Sequence, residues 1–112
     1  MPWGTQRGKE MPISGFQRPL AVWSQESINK VEPRPGVFEF YDQYELVIYL
    51  MGAPNLKEAL QNLYNSGFAN KPCLRQATHF RWEYVDKFET AVNNHMIVFK
   101  STSGGTLPDC MK

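Results

Sequence analysis

Residues 35–60 read PGVFEFYDQYELVIYLMGAPNLKEAL, and the order of elements in that stretch decides the fold. Val37, Phe38, Phe40 and Tyr41 are β-favouring side chains, and Asp42-Gln43-Tyr44-Glu45 supplies a polar turn after them. Leu46-Val47-Ile48-Tyr49-Leu50 is nearly continuous in apolar residues, as expected of a strand covered on both faces. Asn55 suits a helix N-cap, with Glu58 completing a capping-box-like pair. Leu56, Ala59, Leu60 and Leu63 recur at helical spacing until Asn65-Ser66-Gly67 ends the helix.

Before this hairpin-and-helix unit, Ser24 to Val31 reads as a short helix capped by Ser24 and stopped by Glu32-Pro33-Arg34-Pro35. After it, Ala77 to Val85 alternates at the strand period, with Phe80, Trp82 and Tyr84 on one face and His79, Arg81 and Glu83 on the other. Asp86 and Glu89 give a second helix-start signal, and Phe88, Val92, Met96 and Phe99 form an apolar stripe to about Lys100. The tail from Ser101 is turn-rich, with a short strand expected near Thr106-Leu107. The resulting order predicts an α/β (α+β) fold: a small sandwich whose three-stranded, mainly antiparallel sheet is flanked by helices, over residues 24–112.

Composition fits one domain. A chain of 112 residues builds one core, and 42% hydrophobic content argues against wholesale disorder. The longest apolar run, Leu46 to Met51, is strand-sized, so no membrane-spanning segment is expected. Residues 1–23 form a separate arm in which Pro2, Pro12 and Pro19 alternate with Gly4, Gly8 and Gly15, yet Trp3, Ile13, Phe16, Leu20 and Trp23 make it more apolar than a linker. Such an arm orders on contact, and Trp3, Phe16 and Trp23 are its expected docking residues for a larger protein complex. Cys73 and Cys110 match no metal-binding spacing and read as free thiols, which places the protein in the cytoplasm.

Charge splits unevenly. Residues 1–34 carry five basic and three acidic side chains, a balance of +2, whereas residues 35–112 carry seven basic and eight acidic, a balance of −1. Nucleic-acid grips show a basic stripe, and Lys71, Arg75 and Arg81 are the candidates for one here. His79 and His95 lie in different elements and read as face residues rather than metal ligands. Tyr44, Tyr49, Tyr84 and Trp82 have the rings to stack bases, but aromatics at strand spacing more often build a core. Ser101-Thr102-Ser103-Gly104-Gly105 lacks the phosphate-loop pattern.

The opening stretch resembles the start of the GIY-YIG nuclease domain, which runs P-G-V/I-Y, a spacer, Y-I/V-G, then K-A-x-N/D-L-x-x-R. Pro35, Gly36, Val37, Tyr49, Ala53, Asn55, Leu56 and Leu60 match without gaps. The resemblance implies catalytic roles for four positions, now occupied by Phe38, Tyr49, Ala59 and Asn94. In that family the first tyrosine serves the attacking water, the helix arginine steadies phosphate charge and a late glutamate holds a divalent metal. Phe38 lacks the hydroxyl, Ala59 the charge and Asn94 the carboxylate, so only Tyr49 retains its family side chain. No metal or cofactor is expected. The reading is a catalytically inactive domain acting as a protein-interaction or accessory subunit. A non-cleaving DNA- or RNA-binding pseudo-nuclease, with weak affinity, is the alternative, and a structure-selective endonuclease using replacement groups is a third.

Overall fold

A computed structural model describes residues 19–112. In chain order the elements are β1 (Ala21–Val22), α1 (Gln25–Ile28), β2 (Gly36–Tyr41), β3 (Val47–Ala53), α2 (Leu56–Ser66), β4 (His79–Tyr84) and α3 (Phe88–Thr102), with 3-10 turns at Pro72–Gln76 and Asp109–Met111.

The expected hairpin forms, with Asp42 closing it: its Oδ1 accepts from the Tyr44 and Leu46 amides at 2.9 and 3.0 Å. Both expected N-caps are made, Ser24 accepting from the Ser27 amide and Asn55 from the Glu58 amide. α3 starts differently: Lys87 is its N-cap residue and makes no side-chain cap bond, so Asp86 does not cap it. α2 ends in two left-handed residues, Gly67 and Phe68. A phenylalanine there is strained, and it persists because its ring is buried beneath Trp23, with centroids 5.4 Å apart.

The sheet is antiparallel, in the order β1-β4-β2-β3. Four strands replace the expected three, because Ala21 and Val22 pair with Phe80 and His79. Trp23 follows them into the core, its ring within 4.9–5.6 Å of Phe40, Tyr64, Phe68 and Phe80. The expected boundary after residue 23 therefore cuts through the sheet, and Trp23 is a packing residue of the domain itself. Its aromatic neighbours lie 17 or more positions along the chain, which is why a local reading assigned it to the arm.

β2 is the centre, buried at all six positions and paired on both sides. Phe38 and Phe40 face α1 and α2, joining Ile28, Leu56, Leu60, Phe80 and Trp82. Val37 faces α3, with Leu50, Phe88, Val92 and Met96. Lys57 ties α2 to the chain after α1 by donating to the Ile28, Asn29 and Val31 carbonyls at 3.3–3.4 Å. Two glycines set the close approaches. A Cβ at Gly36 would lie 2.2 Å from the Glu83 carbonyl oxygen, and one at Gly52 would lie 2.8 Å from Phe88 and Val92 side-chain atoms.

The expected free thiols are corrected: Cys73 and Cys110 are joined in a disulfide across 37 positions. Neither spacing nor composition marks such a pair, since the fold alone brings the two turns together.

Gly36→Ala should destabilise the protein by about 1–3 kcal/mol or more, because the obstruction is backbone with no rotamer to give. Trp23→Ala should cost about 3 kcal/mol by emptying the space among four rings. Urea unfolding of each variant against the parent chain checks both.

Candidate functional site

The period of two along β2 and β3 puts Phe38 opposite Met51 and Phe40 opposite Tyr49, all on the α2 side of the sheet. Helical spacing turns Ala59 and Leu63 of α2 toward the same place. Between them runs an open groove of about 470 Å³, lined by Phe38, Tyr49, Met51, Gly52, Ala59 and Leu63 and by the polar side chains of Asn62, Ser66 and Asn70. Three of the four positions singled out by the resemblance, Phe38, Tyr49 and Ala59, thus share one groove. Phe38 is buried and presents only ring carbon there. The Tyr49 ring lies 6.3 Å from that of Phe38, and the Lys71 ammonium sits 5.7 Å from its centroid. Burial pushes the Tyr49 phenol above its ordinary value of 10.0.

Asn94 is elsewhere. It is exposed on α3, which packs on the opposite face of the sheet through Phe88, Val92 and Met96. The position that the resemblance gives to a metal ligand is therefore separated by the sheet from the three that share the groove. Among the described residues no group of three or more His, Cys, Asp or Glu side chains is placed to hold a metal ion. Met51 and Gly52 also line a second hollow of about 400 Å³ on the α3 side, with Phe88, Glu89, Val92 and Asn93.

The three candidate cations do not converge. Lys71 reaches the groove, and Arg75 donates to the Gly67 carbonyl at 3.1 Å. Arg81 faces α3, where β4 alternation placed it. There it donates to the Tyr41 hydroxyl from Nε at 2.8 Å and from Nη2, and Nη2 lies 4.0 Å from the Glu39 carboxylate. The Tyr41 hydroxyl in turn donates to Glu39, whose side chain is fully buried. This network sets a cation and a hydroxyl beside a carboxylate buried inside the central strand, as packing there requires. Burial first, and then the neighbouring Glu39 charge, hold the Tyr41 phenol far above its ordinary range, against the opposing pull of Arg81. His95 Nε2 lies 2.9 Å from Glu83 on the same face, and His79 Nδ1 meets the Thr78 hydroxyl at 2.9 Å. The histidines sit apart, as their separate elements implied.

Trp3 and Phe16 lie outside the described residues. The groove rim of Asn62, Ser66 and Asn70 was missed from sequence. Asn62 and Ser66 lie one helical turn apart on the exposed side of α2 and Asn70 in the turn after it, polar positions that solvent explains equally well.

No protein-family model matches this chain, and no curated protein is significantly similar to it. The functional reading rests on the groove and on the chemistry of its walls.

Tyr41 and Tyr49 both have raised folded-state values, so the stability tied to their protonation is complete below about pH 10 and is lost as pH rises above it. Unfolding free energy measured at pH 8 and pH 11 should fall in the parent chain, and the fall should be smaller in Tyr49→Phe.

Proposed function

We propose that this chain is a catalytically inactive, GIY-YIG-like domain that serves as an accessory, protein-binding subunit of a larger complex. The observation that carries the reading is the groove lining: phenyl, phenol, thioether, methyl, amide and hydroxyl groups meet there. Such walls recognise a partner by shape, apolar contact and neutral hydrogen bonds. Phosphodiester hydrolysis asks for proton transfer, charge stabilisation and metal activation at one place, and the family positions for these now hold Phe38, Ala59 and a distant Asn94. The aromatic arm, through Trp3 and Phe16, is the second docking element of the proposal. Trp23 is not part of it, being committed to the core.

One observation favours the non-cleaving nucleic-acid reading: Lys71 sets a cation beside the Tyr49 ring at the groove. With Arg81 turned to the other face, Lys71 and Arg75 remain to meet phosphate, which supports weak, salt-sensitive binding. No helix among the described residues is long and apolar enough to cross a membrane. A cytoplasmic placement goes with free thiols. The Cys73–Cys110 bond instead favours a compartment where thiols oxidise, or one where the bond cycles.

Purified chain with magnesium or manganese should leave single-stranded, duplex and branched DNA uncut; metal-dependent nicking lost in Tyr49→Phe would defeat the proposal. Ala59→Arg, which fills the groove with a guanidinium, and Trp3→Ala with Phe16→Ala should each lose partner proteins that the parent chain retains from its native source. Unchanged capture by both variants would remove groove and arm as docking elements.

A further inference from the structure

β3 lies at the edge of the sheet, and the 3-10 turn Asp109–Met111 lies against it. The residues of that turn divide between the two faces of the sheet. Cys110 is buried in the cluster on the α2 side, whereas Met111 packs with Val37 and Leu50 on the α3 side. Between them the turn crosses the strand edge, where the Leu50 amide donates to Met111 Sδ at 3.3 Å. A thioether is a weak acceptor, so this contact covers an edge amide without strand pairing. What fixes the turn covalently is the Cys73–Cys110 bond, anchored in the turn Pro72–Gln76.

We propose that Asp109–Met111 is a redox-controlled strap over the β3 edge, closed by the Cys73–Cys110 disulfide and released by its reduction. The reductant is a dithiol. Its thiolate attacks one sulfur of the pair, most accessibly that of the half-buried Cys73, and the Cys73–Cys110 bond breaks as a mixed disulfide forms. The second thiol of the reductant then displaces Cys73. The dithiol leaves as a disulfide, and the protein gains two electrons and two protons as two thiols. The strap is then held by the Met111 contact and by side-chain packing of a single turn. Its departure uncovers the Leu50 amide at the edge of β3.

The test is amide hydrogen exchange on the full chain, oxidised and after treatment with dithiothreitol, with Cys110→Ser and Met111→Ala alongside. Reduction should speed exchange of the Leu50 amide at least tenfold, and Cys110→Ser should match it without reductant. Phe40, paired between two strands at the sheet centre, should keep its protection throughout. Met111→Ala with the disulfide intact should expose Leu50 alone. Three results would overturn the strap: both cysteines alkylated by iodoacetamide in the unfolded chain before any reductant is added, unchanged Leu50 exchange on reduction, or loss of Phe40 protection together with it. The last would mean that the bond holds the whole fold rather than one turn.

Discussion

Burial of β2 on both faces is the constraint from which the rest of the structure follows. A strand paired on each side and covered above and below needs apolar side chains in both directions, and Val37, Phe38 and Phe40 supply them. Glu39 does not, and its carboxylate cannot stay charged in that place alone. Its cross-strand neighbour is Arg81, so the register that pairs β2 with β4 also delivers the compensating cation. Tyr41, two residues along the same face, links the two. Register, core and buried charge are thus one solution, and a slip of one residue would break all three.

The same alternation sorts the chemistry of the molecule between the two faces. Toward α3 the sheet turns its ionisable groups, Glu39, Arg81 and Glu83, each engaged by a neighbour. Toward α2 it turns rings, and the groove opens among them. A site on the ring side offers shape, neutral polar groups and the Lys71 ammonium beside Tyr49.

The hairpin, α2 and the two faces of β4 were legible in the sequence because each rests on local periodicity. Asp42, Asn55 and Gly67 each act within a few residues, and their roles could be read directly. What was not legible depends on pairs far apart in the chain. Ala21–Val22 is too short to show alternation, and it becomes a strand only because β4 offers an edge. Trp23 belongs by its local sequence to the proline- and glycine-rich arm, because partners such as Phe80 lie far along the chain. The cysteine pair is invisible for the same reason. At the candidate site, Phe38, Tyr49 and Ala59 were linked in the sequence only by the resemblance; the β2–β3 register puts Phe38 and Tyr49 on the face that Ala59 of α2 covers, and the side of the sheet taken by Asn94 was not legible. That depends on the layer in which α3 packs, and a helix of the same stripe fits either layer.

The order of the strands also sets a distance. The chain enters the sheet at Ala21 on one outer strand, while the groove borders β3, the other. Three inter-strand steps separate them, roughly 14 Å across the hydrogen-bonding direction. A single body holding the segment before Ala21 and the groove together would have to bridge that width across the sheet, with only the two residue pairs of β1 on β4 at one end of it. β1 is the weak end of such a bridge, because its two pairs with β4 would part before the longer ladders on either side of β2.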